Sequence, residues 1–341
     1  MLSNEINWQV QKITEFDEHA SSWDELNVKN NNQSVLSAIF IQALLENFST
    51  GSELLILGWQ NESLVFGGIF EKVSSIRWRT FQPSQAPLGA LICEADLLNF
   101  ELISKVSKLL PNSPLLLDLT QIDSQQHPLP LSSNLFTMPY ISTGKLAVPT
   151  NFDEYFASFS KNTRQNFNKA RNRLAKSGVE TRLEIITDES SIKEFVSIYG
   201  DIESSGWKNT EGTAIHIDNE QGKFYVDMLA AFARNKEAQI WCYYFDDEVV
   251  AVDLCISMAE TLIILKTTYE EKHSKFSPSL LMKLDAYKKL GSESKIKTIE
   301  YFGKTKDWHK RLQCEERDIY HITWCKYPLL FKLVNWLKKF K

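Results

Sequence analysis

The fold is decided by one short stretch of the chain, which runs Thr261-Leu-Ile-Ile-Leu-Lys-Thr-Thr-Tyr269 and then His273-Ser-Lys-Phe-Ser-Pro-Ser-Leu-Leu281. The first run is rich in apolar and β-branched residues and predicts a strand. Ser277 followed by Pro278 predicts the start of a helix, because serine is a good N-cap and proline fits the first helical position. Free amides at a helix start attract anions. The junction therefore predicts either an anion site or an ordinary capped helix.

The preceding strand, predicted over Val249–Met258, carries an acidic residue at its centre. One face of the strand is aliphatic, whereas the other is smaller, more polar and includes Asp253. A carboxylate in the middle of a central strand is costly unless it is paired or lies in a cleft. Two interpretations of Asp253 follow. It forms a structural pair, with backbone or with Lys266 across the hairpin, or it orients or deprotonates the amine of an acceptor.

The order of the predicted elements indicates a mixed α/β architecture. Three strands follow one another closely, Ala238–Phe245, Val249–Met258 and Thr261–Tyr269, and helices flank them, including a long helix over Phe152–Lys176. The first half repeats this order more faintly. A chain of 341 residues is too long for one ordinary core. We therefore expect one domain over residues 1–145 and a second over 146–325, with the polar, proline-containing stretch 121–139 as a loop or linker.

Charge is distributed unevenly along the chain. Residues 1–150 contain 8 Lys and Arg against 15 Asp and Glu, whereas residues 151–341 contain 30 against 28. A polyanion site is therefore expected in the second half, although the net charge of −5 argues against a dedicated nucleic-acid binder. The cations of the Phe152–Lys176 helix predict either a solvated face or a contact surface for phosphates. They are Lys161, Arg164, Lys169, Arg171, Arg173 and Lys176.

The C-terminal segment, residues 326–341, is predicted to form a basic amphipathic helix. It combines five lysines with several large apolar side chains and contains no acidic residue. Such a helix suits an anionic membrane surface, and it would equally dock on its own domain with its lysines in solvent. Both interpretations remain open from the sequence.

Cysteine and histidine usage predicts neither disulfides nor a metal site. The five cysteines are scattered without a C-x-x-C motif, and the six histidines show no pair at metal-ligand spacing. The start of the chain lacks the features of a signal peptide, and no apolar run approaches the ~20 residues of a membrane span. We therefore expect a cytoplasmic protein, for which peripheral contact with the inner membrane surface through the tail stays one of the two alternatives.

Several motifs together carry a family resemblance. They are the loop Phe81–Gly89, the basic helix and its stop from Phe152 to Gly178, the segment Gly206-Trp-Lys…Gly-Thr-Ala-Ile215, and Leu265-Lys-Thr-Thr-Tyr-Glu-Glu…Phe-Ser-Pro-Ser-Leu-Leu281. In order and spacing they resemble the CelD/Fem-like acetyltransferases, double-GNAT proteins found beside bacterial polysaccharide genes. The family often has glycine at the position of Ser279.

The resemblance implies two tandem GNAT-like domains, the first degenerate, and transfer of an acyl group from acetyl-CoA or another acyl-CoA to an amine. The acceptor would be an amino sugar or a related precursor in surface polysaccharide biosynthesis, and no metal would be needed. The implied catalytic residues are Asp253, Lys266 and Tyr269. Donor phosphates would bind at Ser277, Ser279, Leu280 and Lys275. The acceptor would contact Trp207, Lys208, Arg164 and Lys310, the last of which matches the family lysine with a shift of one residue.

Two other functions stay open. One is Fem-like transfer from an aminoacyl-tRNA to a peptidoglycan precursor, which the basic helix favours and the acidic total charge argues against. The other is a GNAT-like module without catalysis that serves as an interaction partner in a polysaccharide complex.

Overall fold

The computed structural model describes residues 5–129, 135–205 and 215–329. Their contacts form two compact units: one comprises the described residues up to Ser142 and from Arg317 on, and the other runs from Thr143 to Glu316. The expected second domain extended to residue 325, but the strand at the end of that range is grouped with the first unit. Most of the predicted C-terminal helix lies outside the described residues.

The first unit is built on a mixed sheet. Its elements in chain order are β1 (Asn7–Lys12), α1 (Ala20–Lys29), α2 (Ala38–Phe48), β2 (Leu54–Gln60), β3 (Ser63–Ser74), β4 (Arg77–Thr80), β5 (Leu91–Cys93), α3 (Phe100–Leu109) and β6 (Leu116–Asp123). The strands follow the order β1-β2-β3-β4-β6, with β5 also paired to β3. The last strand among the described residues, Glu315–Cys325, pairs antiparallel with β6. Aromatic side chains from this strand, Tyr320 and Trp324, lie in the same apolar core as Phe66 and Phe70.

The second unit contains the stretch that the sequence singled out. Its elements are the end of β7 (Leu135–Ala147), α4 (Phe152–Ser158), α5 (Lys161–Lys176), β8 (Thr181–Ile186), α6 (Glu189–Ser205), α7 (Glu220–Arg234), β9 (Ala238–Phe245), β10 (Glu248–Met258), β11 (Thr261–Tyr269), α8 (Pro278–Glu293), β12 (Thr298–Tyr301) and α9 (Asp307–Arg311). The strands follow the order β7-β12-β11-β10-β9-β8. Within this order, β11 and β12 are parallel and the other neighbours are antiparallel.

Alternation along the strands assigns the two faces of this sheet. Trp241 and Tyr243 of β9 share a buried cluster with Leu281 and Tyr287 of α8. Helix α8 therefore covers the face that carries the odd-numbered residues of β9 and β10. Helices α6 and α7 pack on each other, and they also contact β9, β10 and β11. The site described below lies where α8 begins.

The predicted mixed α/β class is confirmed, with two local differences. The long helix expected over Phe152–Lys176 is interrupted at Phe159, and Ser160 caps a second helix by accepting the Thr163 amide at 3.2 Å. The expected loop over 121–139 includes the end of β6 and the start of β7. Residues 136–142 of β7 are exposed or half-buried on both faces of the strand, so no apolar alternation marks them in the sequence.

Candidate functional site

The short strand β12 pairs in parallel with only the first four residues of β11. Residues Thr261–Ile264 pair with Thr298–Tyr301, and the ladder ends there. At the same point Leu265 is an extra residue relative to β10, which makes a β-bulge. From Lys266 to Tyr269, β11 remains paired with β10 but not with β12. Alternate residues of an antiparallel strand direct their N–H and C=O groups away from the partner, so backbone amides here face the gap left by β12.

A cleft of about 580 Å³ occupies this gap. Its walls are the end of β11, the first turn of α8, the segment that leads from β12 into α9, and the end of α6. Five of the residues predicted from the sequence line it: Lys266, Tyr269, Ser277, Ser279 and Leu280. The structure adds residues that the sequence did not single out, among them Glu203, Tyr301, Gly303, Lys304, Lys306, Trp308 and His309.

The start of α8 differs from the expected serine cap. Ser277 is left-handed, with φ 53° and ψ 55°, and its side chain makes no capping hydrogen bond. Its carbonyl oxygen accepts the amides of Leu280 at 3.0 Å and Leu281 at 3.1 Å. Pro278 has no N–H, so the Ser279 amide is the first hydrogen-bond donor of the helix. The first amides of a helix have no carbonyl partner within that helix, so the Ser279 amide can bind another acceptor. The expected start at Pro278 is confirmed, but backbone geometry rather than a serine hydroxyl makes it.

Asp253 does not pair with Lys266, and its side chain is completely buried. Its Oδ2 lies 2.5 Å from Nζ of Lys283 on α8, and both side chains have 0% exposure. The Lys283 ammonium also donates to the Thr267 hydroxyl at 3.2 Å and to the Ser279 hydroxyl at 3.3 Å. One buried cation thus connects β10, β11 and the first turn of α8.

Strand register explains why the expected Asp253–Lys266 pair does not form. Asp253 faces Thr267 across the β10–β11 ladder, whereas Lys266 faces Leu254. Directly opposed residues share a face of the sheet, so Asp253 and Lys266 point to opposite faces. Asp253 points toward α8, and the Lys266 ammonium lies 5.7 Å from the ring centre of Tyr225 on α7.

Two opposing influences act on the pKa of the buried Asp253 carboxyl. Burial raises the pKa of the Asp253 carboxyl, while the neighbouring Lys283 charge acts to lower it. Within the described part of the chain, Asp253 Oδ1 has no hydrogen-bond partner. A buried pair of this kind is costly to break, because removal of one partner leaves the other charge uncompensated. We therefore regard Asp253 and Lys283 as the support beneath the cleft.

Glu271 and Glu203 both line the cleft, and of these Glu203 lies at the end of α6. Its side chain is 4% exposed and accepts the Tyr199 hydroxyl at 3.0 Å and the Ile215 amide at 2.7 Å. These two bonds fix the carboxylate against the cleft. A glutamate near the end of an amphipathic helix resembles any surface acid in sequence, so no local pattern distinguished it.

His309, on the short helix α9, is a neutral ring in the cleft wall. Burial lowers the pKa of its imidazole to about 4, so the ring is uncharged at neutral pH. Its Nδ1 accepts the Lys306 amide at 2.9 Å, which places the ring proton on Nε2. Nε2 has no hydrogen-bond partner among the residues that the structure describes. The neighbouring Trp308 ring stacks on the imidazole at 3.5 Å between ring centres.

Some predicted site residues lie elsewhere. Arg164 donates to the carbonyl oxygens of Ala157 and Phe159, and so stabilises the end of α4. Lys310 is 69% exposed and lies 3.8 Å from Glu316. Lys275 lines a different pocket on the other side of the first turn of α8. The predicted Trp207 and Lys208 fall in residues 206–214, outside the described part of the chain.

Two further kinds of functional feature are absent from the described residues. They contain no cluster of three or more His, Cys, Asp or Glu side chains arranged to hold a metal ion. None of the helices in the described ranges is both long enough and apolar enough to span a bilayer.

Comparisons with known proteins agree with this geometry. Residues 161–311 match a family model described as an acetyltransferase (GNAT) domain. This segment has a GNAT fold. No curated protein matches the sequence. The segment matched to the GNAT model runs from the start of α5 to the end of α9 and therefore includes the elements that form the cleft.

Solved structures extend the likeness to both units. The FemX structure is similar with a TM-score of 0.61 and 10% identity, over 96% of this chain and 99% of that chain. L-PGS from Bacillus licheniformis has a TM-score of 0.53 and 13% identity, over 91% and 94%. A tandem GNAT protein from the clavulanic acid biosynthesis pathway has a TM-score of 0.50 and 10% identity, over 93% and 98%. Identities this low show a shared fold.

Proposed function

We propose that this protein is an acyl-CoA-dependent N-acyltransferase that works in the cleft between β11 and β12. The observation that carries the proposal is the separation of these strands directly beside the start of α8. One opening thereby combines backbone amides released from pairing, which suit an acyl oxygen, with a helix start that attracts phosphate. The GNAT match over residues 161–311 supports the same reaction class.

The donor would lie along β11 with its phosphates at the first turn of α8. The Ser279 amide is the available donor there, and the Ser277 and Leu280 side chains complete the turn. An amide of the Leu265–Tyr269 segment would hold the carbonyl oxygen of the acyl group as negative charge develops on it. Hydrogen bonds aimed at developing charge in a site shielded from water provide a large part of catalysis in acyl transfer.

The acceptor amine would enter from the side of Glu203 and Lys266. In the transfer, the amine nitrogen bonds to the carbonyl carbon, the carbon–sulfur bond breaks, and the amine loses one proton while the thiolate gains one. Glu203 would receive the amine proton, in the role that the sequence assigned to Asp253. His309, which keeps a proton on Nε2 at neutral pH, would donate a hydrogen bond to the leaving thiolate, and the thiolate then takes its proton from solvent. Asp253 acts through Lys283, as a positioning residue.

The acceptor that we propose is the amine of an amino sugar or a related polysaccharide precursor, which rests on the CelD/Fem-like sequence resemblance. Tyr269, 41% exposed, and the cleft lysines Lys304 and Lys306 would contact it at the open end. Aromatic and cationic side chains suit a sugar ring that carries phosphate.

Binding of acetyl-CoA tests the proposal. A real donor site should raise the melting temperature with acetyl-CoA concentration, because a ligand that binds only the folded state stabilises it. Ser279→Asp, which adds negative charge at the start of α8, should abolish this shift. Ser292→Asp, on the exposed end of the same helix, should retain it. The matching activity assay follows thiol release from acetyl-CoA with glucosamine as the probe amine, and Glu203→Gln should slow it at least a hundredfold.

Absence of both stabilisation by acetyl-CoA and thiol release would refute the transferase proposal. It would instead favour a GNAT-like module that acts through protein contacts.

The second candidate is Fem-like transfer from an aminoacyl-tRNA, which the similarity to the FemX structure over nearly the whole chain favours. The two donors differ in salt dependence. Binding of tRNA releases many counterions and should weaken steeply between 50 and 200 mM salt, as expected for proteins that contact several phosphates. Coenzyme A should lose much less affinity over the same range. A gel-shift assay with deacylated tRNA and a titration with acetyl-CoA, at both salt concentrations, would distinguish the two.

A further inference from the structure

A second pocket lies against the same turn of α8. Its volume is about 240 Å³, and it is formed by α5, the segment before α8 and the end of α9. Ser277 and Leu280 line both this pocket and the cleft. The first turn of α8 therefore separates two concave sites, one of which would hold the acyl end of the donor.

The pocket is lined by positive charge. Lys169 and Arg173 lie four residues apart on α5 and so share a face of that helix, while Lys275 and Arg311 come from two other segments. No Asp or Glu is among its lining residues. Within the described ranges, none of these four cations has a carboxylate oxygen within 4.0 Å, in contrast to Arg171 of the same helix, which lies 2.5 Å from Asp285. Four like charges around one small space favour a multivalent anion.

We propose that this basic pocket binds the terminal ribose phosphate of a nucleotide thioester, the 3′-phosphate of coenzyme A. The inference rests on the proposed function and names the part of the donor that this chain recognises. The donor would cross the first turn of α8 at its pyrophosphate and place its last phosphate among the four cations. Arg173 and Arg311 can each present two N–H groups to one phosphate. Thr163 and Asn166 add neutral hydrogen-bonding groups to the same wall.

The size and pattern of charge favour a small nucleotide over a nucleic-acid strand. A strand binder needs a basic groove that follows several phosphates. Here the neighbouring arginines of α5 are engaged otherwise: Arg164 donates to the carbonyls of Ala157 and Phe159, and Arg171 pairs with Asp285. Lys169 and Arg173 of α5 join Lys275 and Arg311 around one pocket of about 240 Å³, which Lys161 and Lys176 of the same helix do not line. The four cations therefore surround a space that suits a single phosphate group.

The experiment compares coenzyme A with 3′-dephospho-coenzyme A, which lacks only the phosphate in question. Isothermal titration calorimetry at fixed salt should show that the wild-type protein binds coenzyme A at least tenfold more tightly. Arg173→Gln should reduce that ratio to threefold or less, mainly by weakening coenzyme A. The matched control is Arg171→Gln on the same helix, which should keep the wild-type ratio. Arg311 belongs to another element, and Arg311→Gln should give the same result as Arg173→Gln. Agreement between the two variants would show that the effect does not come from a folding defect in one of them.

Each outcome decides between distinct conclusions. Equal binding of both compounds by the wild-type protein, or an unchanged ratio in both Arg173→Gln and Arg311→Gln, would overturn the pocket assignment and leave the proposed transferase intact. Failure of both compounds to bind the wild-type protein would overturn the proposed function itself. If deacylated tRNA bound through Arg173 with steep salt dependence while the two coenzymes bound alike, the pocket would serve RNA and this inference would be wrong.

Discussion

The Lys283 ammonium lies 2.5 Å from the Asp253 carboxylate, and neither side chain is exposed to solvent. The two residues belong to α8 and to the centre of β10. Since Lys283 also contacts Thr267 and Ser279, the pair sets the distance between β11 and the first turn of α8. The geometry of the cleft therefore depends on a contact that lies beneath it.

Lys283→Met should destabilise the protein by about 3–5 kcal/mol, because it leaves the Asp253 carboxylate buried without its cation. The double substitution Asp253→Leu/Lys283→Met should recover most of that loss, since it removes both charges and keeps apolar volume. Urea unfolding monitored by circular dichroism measures both. Lys297→Met is the control, because Lys297 pairs with Glu260 at the surface and such pairs contribute about 0–1 kcal/mol. Equal effects of Lys283→Met and Lys297→Met would contradict the structural role.

Ser277→Gly should stabilise the fold by about 0.5–1 kcal/mol. Ser277 has φ 53°, and this left-handed conformation costs a residue with a Cβ roughly 1–2 kcal/mol. Glycine avoids that cost, but it loses more conformational entropy on folding, so only part of the gain remains. Ser277→Val should destabilise for the same reason. Thermal unfolding gives the stability, and Lys236→Gly is the matched control: it relaxes another positive φ, 60°, away from the cleft. We expect acetyl-CoA binding to change in the Ser277 variants and to stay constant in Lys236→Gly.

Stability should fall as pH drops from 6.5 toward 4, partly through His309. Its pKa is about 4 in the folded protein and near 6.5 in the unfolded chain, so the unfolded state binds the extra proton in this window. The loss of stability that His309 causes is nearly absent above pH 6.5, and it reaches roughly 2–3 kcal/mol at pH 4.5. The free energy of unfolding in urea at pH 7 and pH 4.5 should therefore differ less in His309→Gln than in wild type.

His216→Gln is the control for this comparison, because the His216 side chain is 51% exposed. His127, whose pKa is also lowered to about 4 by burial, contributes equally to wild type and to both variants. A pH dependence in His309→Gln identical to that of wild type would show that the ring is not buried as a neutral group.

Gly222→Ala should destabilise by about 1–3 kcal/mol, because a Cβ there would lie 2.0 Å from the His216 carbonyl oxygen. The backbone at 215–217 would have to move, and with it the Ile215 amide that donates to Glu203. We therefore expect slower acyl transfer as well as a lower melting temperature. Gly303→Ala is the control: a Cβ there meets no atom within 4 Å, so stability should change by less than ~0.5 kcal/mol. Normal activity in a folded Gly222→Ala protein would argue against a role for Glu203.

Much of the second unit could be predicted from local sequence pattern. The strands Ala238–Phe245 and Thr261–Tyr269 were predicted with the bounds that the structure has, and the start of α8 was predicted at Pro278. These elements are long, strongly apolar and bounded by turn residues, so tertiary contacts do not override the local preference. The break between α4 and α5 was missed, because two amphipathic helices in series have nearly the pattern of one.

The sequence predicted the residues of the cleft mainly along one continuous segment of the chain. Lys266, Tyr269, Ser277 and Ser279 line the cleft because they follow one another along the β11–α8 connection. On the short helix α9, the sequence favoured Lys310, but a shift of one residue rotates a side chain by about 100°, and His309 is the one that lines the cleft.

The sequence by itself determined the strand, the turn and the helix start that form one wall of the cleft, because backbone preference and apolar periodicity act over a few neighbouring residues. Tertiary structure alone decided which charges meet. Asp253 and Lys283 are thirty residues apart, and the β10–β11 register together with the packing of α8 pairs them and sends Lys266 to the other face. Burial in turn makes His309 a neutral donor and gathers four cations from three segments into one pocket, since solvation and charge depend on neighbours in space.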